Sequence, residues 1–147
     1  MRPRSITLFE RTYLAGLLLD IANFAMHFPR FSVMAARTGA GDAVLVITYL
    51  PGIAIALVFW FLTARHASST ARWFLIALTA LDILGIPHSL ELARDVGASY
   101  GTLAVAAVAI QTLSLLPLFR KDAAAWFRNP DRKRGNNDAP TDIPPRD

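Results

Sequence analysis

The chain has no cysteine. That excludes disulfides, thiolate metal sites, iron–sulfur clusters and thiol catalysis, and it leaves the redox compartment open. Charge is scarce as well: Asp, Glu, Lys and Arg make up 18% of 147 residues, against 54% hydrophobic residues. Most of the charges lie outside the long apolar runs. This balance suits a chain that crosses a membrane several times better than a water-soluble domain. The formal net charge is +4. The basic residues gather at the edges of apolar runs, as membrane anchors do, so nucleic acid is not an expected partner. No catalytic constellation is recognisable, and no enzymatic activity is expected.

What is present is organised around Tyr13 to Phe28, YLAGLLLDIANFAMHF. This stretch is apolar enough for a bilayer, yet Tyr13, Gly16, Asp20, Asn23 and His27 recur in steps of three and four. That spacing is one face of an α-helix. Polar groups in hydrocarbon are costly and turn toward protein or trapped water, so the stripe predicts a membrane helix packed against partners. The basic lead Arg2 and Arg4 resembles the start of a signal peptide. Asp20 and Asn23 interrupt its apolar run, however, and no clean small-residue cleavage pattern follows, so an uncleaved first helix is expected.

Four spans are predicted, at about 9–28, 43–64, 71–92 and 99–119, each roughly the 20 residues that cross about 30 Å of hydrocarbon. Together they form an all-α, four-helix transmembrane bundle occupying residues 1–128. Pro29 is expected to end the first span, leaving 29–42 as a loop, with Asp42 capping the second helix. Pro51 predicts a kink in the second span. Glu91, Arg94 and Asp95 are read as a mixed-charge loop. Trp126 and Phe127 suggest an interfacial segment over 122–128, and 129–147 reads as a disordered polar tail.

The charge census orients the spans. Arg2, Arg4, Arg11, Arg65, Arg72, Arg120, Lys121, Arg128, Arg132, Lys133, Arg134 and Arg146 fall on one side; Arg30, Arg37 and Arg94 fall on the other. Twelve against three, out of 15, puts both termini in the cytoplasm of a bacterial inner membrane. The two halves also look alike. The first and third spans both leave the cytoplasm, carry a mid-span Asp and end near a His and a Pro.

Each span carries a stripe. The second has Tyr49, Gly52, Ala56, Phe59 and Thr63; the third Thr79, Asp82, Ile86 and Ser89; the fourth Tyr100, Ala104, Ala107, Gln111 and Ser114. Asp20 and Asp82 each lie eleven residues from the cytoplasmic start of their span, about 16 Å in, and Gln111 lies about 12 Å from the same edge. Asp20, Asp82, Gln111 and Asn23 are therefore expected to form one buried polar layer. Such a layer serves either as a proton or cation site or as interhelical hydrogen bonding that fixes register. His27 and His88 sit at similar depth near the outer helix ends. Facing imidazoles in a four-helix bundle can ligate a b-type haem, although His88 is about 120° from the Asp82 face. Joined by Glu91, the same pair offers a possible divalent-metal set, while interfacial histidines are the plainer reading. Tyr13, Tyr100, Trp60, Trp73 and Trp126 read as interfacial belt residues.

Ser5-Ile6, Phe9-Glu10 and Tyr13-Leu14, then Ala71-Arg72-Trp73, then Leu118-Phe119-Arg120-Lys121-Asp122 with Trp126-Phe127, resemble small bacterial four-helix inner-membrane proteins of unknown function. The resemblance implies topology and no activity. Small multidrug exporters are also four-helix proteins with a first-helix carboxylate. Here that residue is Asp20 rather than Glu and the surrounding aromatic pattern is absent, so their activity is not carried over.

Three functions are compatible with this reading. The first is a structural or accessory subunit that packs against a larger membrane complex or against itself. The second is a proton- or cation-coupled small transporter using Asp20 and Asp82. The third is a haem-binding electron carrier using His27 and His88. The bilayer is the expected partner in all three.

Overall fold

A computed structural model describes residues 4–66, 68–121 and 123. Four helices follow in order: α1 (Arg4–Arg37), α2 (Asp42–His66), α3 (Ser69–Val96) and α4 (Ala98–Leu115), with a 3-10 turn at Leu116–Phe119. The described residues contain no strand, and the fold is all-α. The predicted tail 129–147 lies outside the described residues, as does the interfacial segment 122–128 apart from Ala123.

α1 is longer than its sequence suggests. Pro29 does not end it; the helix runs on to Arg37, and most of the expected 29–42 loop is helical. A mid-helix proline costs about 3 kcal/mol through a lost hydrogen bond and a clash. Packing beyond it offsets that. Phe31 stacks on Phe24 at 5.7 Å and meets the Tyr100 edge at 5.2 Å. Arg30 donates to the Val96 carbonyl, and Ala35 is buried. The true stop is Gly39, at φ +75. The Ala40 amide returns to the Ala35 carbonyl and the Gly39 amide to the Ala36 carbonyl, which satisfies the last carbonyls of the helix.

The same correction applies to α3. Glu91, Arg94 and Asp95 are helical, not a loop, because nothing between Pro87 and Gly97 breaks the helix. The Ser68 hydroxyl caps its start by accepting from the Ala71 amide at 3.2 Å. Gly97, at φ +127, is the whole connection to α4. Pro51 and Pro87 lie within continuous helices, and both stand, like Pro29, on exposed positions.

α4 is the central element. α1 packs chiefly against it, α3 also packs against it, and α2 bridges α1 and α3, which barely touch one another. The α1–α4 contact is close because Gly16 has no side chain: a Cβ there would stand 2.8 Å from Gln111 Cγ and 3.3 Å from the Ala107 carbonyl oxygen. The α3–α4 contact depends on Gly101 in the same way, facing Ala93. Ile6, Phe9, Tyr13, Ala64, Leu75, Leu115, Leu118 and Ala123 form an apolar plug at one end, where α1 and α3 begin and α2 and α4 finish.

Elsewhere the usual distribution is inverted. Asn23, His27, Thr63, Thr79, Gln111 and Ser114 are buried. Leu18, Met26, Ile47, Leu50, Val58, Leu81, Leu84 and Leu113 are exposed. α2, α3 and the stretch Ala98–Phe119 are long and apolar enough to cross a membrane; their most apolar 18-residue windows have mean hydropathies of 2.3, 1.5 and 1.9. α1 does not reach that standard; Asp20, Asn23 and His27 lower its mean.

An acidic cleft as the candidate functional site

Because α1 and α3 are held apart, a cleft of about 420 Å³ opens between them, walled by α2 and α4. Each wall is a stripe of three- and four-residue steps. α1 contributes Tyr13, Leu17 and Asp20; α2 contributes Tyr49, Gly52 and Ala56; α3 contributes Asp82, Gly85 and Ser89; α4 contributes Tyr100, Ala104, Ala107 and Gln111. The cleft starts above the apolar plug, at Tyr13 and Gln111. It reaches Thr48 and Ser89 toward the opposite end.

Asp20 is half-buried and accepts a hydrogen bond of 2.8 Å from the Tyr49 hydroxyl. Tyr49 is held for this by Phe24, which stacks on one face of its ring at 3.9 Å and 11°. Asp82 is the more exposed carboxylate and lies within electrostatic reach of Asp20 and Tyr13. Gln111 is 7% exposed, and its side-chain amide finds no hydrogen-bond partner among the described residues; the Ser114 hydroxyl donates to its main-chain carbonyl instead. No Lys, Arg or His is among the residues lining the cleft. The site therefore presents two carboxylates, three tyrosine rings and a free amide, with no countercharge.

Asp20, Asp82 and Gln111 thus line one cleft, and Asn23 does not. Asn23 is buried in the α1–α4 contact, where its amide donates to the Tyr100 carbonyl at 3.1 Å. His27 lies beside it. One ring nitrogen is 2.9 Å from the Asn23 carbonyl oxygen and the other 3.0 Å from the Ser99 hydroxyl. A haem pair needs one free nitrogen on each ring facing a shared cavity. Both His27 nitrogens are engaged, and His88 is exposed on α3 outside the cleft, so the pair does not fit haem. Among the described residues no group of three or more His, Asp or Glu side chains is placed to hold a metal ion, the set His27, His88 and Glu91 included.

Two tyrosines lie elsewhere than in the interfacial belt that the sequence suggests. Tyr13 is 3% exposed and belongs to the plug and the cleft floor, not to an interfacial belt. Tyr100 faces the cleft with its ring edge-on to His27 and Phe31. Tyr49 is the cleft residue that composition alone does not single out; its place at the head of the α2 stripe is the available signal. No family model, curated protein or solved structure matches the chain.

Proposed function

We propose that this chain is a multi-pass protein of the bacterial inner membrane, a four-helix bundle with both termini in the cytoplasm, that acts as a small cation-coupled carrier. The observation that carries the reading is the cleft itself: Asp20 and Asp82 share one cavity with no basic residue among its lining. Uncompensated carboxylates at membrane depth favour a positive occupant, whether a proton or a larger cation. The apolar exterior supports the membrane setting. An exposed apolar surface of this extent needs lipid or protein against it. α1, the least apolar helix, is sheltered by α4. The twelve-to-three bias of basic residues supports the orientation.

The direct test is flux. Purified protein in liposomes, carrying an internal pH dye, is given a proton gradient and then an external cation. Proton movement that depends on both added cation and protein supports the carrier reading. Asp20→Asn and Asp82→Asn should insert normally and abolish it. Equal proton movement in the wild type and both variants would defeat the reading.

A second reading, an accessory subunit or self-associating protein, is favoured by α2. The most apolar 18-residue window of this helix has no buried residue. Co-purification in mild detergent followed by mass spectrometry tests it; a stoichiometric partner or a stable oligomer supports it, and a monomer alone does not.

A further inference from the structure

We infer that the occupant of the cleft is a small organic ammonium ion rather than a bare metal ion. The inference rests on the cation reading above and adds the chemical class. Three observations point to it independently of the carboxylates. The volume, about 420 Å³, falls in the range of roughly 300–1,000 Å³ typical of small-molecule pockets. A bare divalent ion instead needs six to eight oxygens drawn close around it, and among the described residues no third carboxylate or histidine joins Asp20 and Asp82.

The second observation is aromatic. Tyr13, Tyr49 and Tyr100 all line the cavity. One face of Tyr49 is covered by Phe24, and its hydroxyl is fixed on Asp20. The ring thus lines the cavity next to a carboxylate, a pairing that holds an ammonium by cation–π attraction and charge together. The third is Gln111. The residue is more than nine-tenths buried and lines the cavity, and its side-chain amide makes no hydrogen bond among the described residues, so the side-chain oxygen is available to an ammonium N–H. Gly16 lets α1 close onto the stem of this side chain and hold it at the cleft floor.

The test uses the full chain in lipid nanodiscs, titrated calorimetrically with methylammonium, tetramethylammonium, sodium and potassium chlorides at constant ionic strength. The expected result is saturable heat with the two organic cations, lost in Asp20→Asn and Asp82→Asn. Tyr49→Leu should weaken tetramethylammonium binding about tenfold, whereas Tyr49→Phe, which keeps the ring on Phe24, should stay within about twofold. Gln111→Leu should weaken methylammonium, which has N–H donors, more than tetramethylammonium, which has none. Circular dichroism checks that each variant folds, and the wild-type comparison of organic against inorganic ions stands even where a variant does not. Carboxylate-dependent binding of sodium or potassium without the organic ions overturns this inference and leaves the cation reading in place. Binding of no cation overturns both, and organic-cation heat unchanged in both Asn variants assigns it to another site.

Discussion

Gly16 is the position where the packing account is most exposed to test. A methyl group there would stand 2.8 Å from Gln111 Cγ and 3.3 Å from both the Ala107 carbonyl oxygen and the Gln111 amide nitrogen. Two of these three neighbours are α4 backbone, which cannot turn aside. Gly16→Ala must therefore separate α1 from α4 or displace the Gln111 stem. Overpacking of this kind costs about 1–3 kcal/mol. Against it stands the intrinsic gain of Ala over Gly in a helix, about 1 kcal/mol. Gly85→Ala isolates the clash, because a Cβ at Gly85 meets nothing within 4 Å and so takes the propensity gain alone. Thermal unfolding in mild detergent, followed by circular dichroism, should place Gly16→Ala about 1–3 kcal/mol below Gly85→Ala. Equal stability of the two variants would show that α1 and α4 do not meet at Gly16.

Other outcomes follow from the same geometry. Reporter fusions after Arg65 should report cytoplasm and fusions at Gly39 periplasm; the reverse pattern would overturn the charge census. Asp20→Asn keeps an acceptor for the Tyr49 hydroxyl and should change stability little, whereas Asp20→Leu strands that hydroxyl and should cost about 1–2 kcal/mol, measured by the same unfolding assay. His27→Leu removes the link to Ser99 and should destabilise by about 1 kcal/mol while leaving cation binding intact, because His27 is not part of the cleft. Loss of cation binding in a folded His27→Leu protein would contradict that placement.

The stripes were legible in the sequence because side-chain direction on a helix follows from spacing alone. Tyr49, Gly52 and Ala56, and Tyr100, Ala104, Ala107 and Gln111, turn toward the same cleft as Asp20 and Asp82. Helix ends were less legible. Pro29 signals a stop by local chemistry, but Arg30 and Phe31 make tertiary contacts that outweigh it, and their partners, Val96 and Tyr100, lie more than 60 residues away on α3 and α4. Asn23 shares a helical face with Asp20 yet leaves the cleft, since three residues of helix set it about 60° round from Asp20, on the side where Gly16 also packs against α4. The pairing of Asp20 with Tyr49 was also hidden. Both residues were on known stripes, but only the packing of α2 against α1 decides which hydroxyl meets which carboxylate.

The proposed carrier requires a water-accessible acidic cleft inside a molecule whose outer face lies in lipid. A chain without cysteine permits one direct measurement: single cysteines in native membranes, labelled by methanethiosulfonate reagents of opposite charge. Ser89→Cys places a thiol in the cleft, and Leu84→Cys places one on the outer face, where the native residue is 75% exposed. The expected result is rapid labelling of Ser89→Cys by the cationic reagent, slower labelling by the anionic one, a smaller difference once Asp82→Asn is added, and no reaction at Leu84→Cys. Equal labelling of Leu84→Cys and Ser89→Cys, or a preference of Ser89→Cys for the anionic reagent, would contradict it.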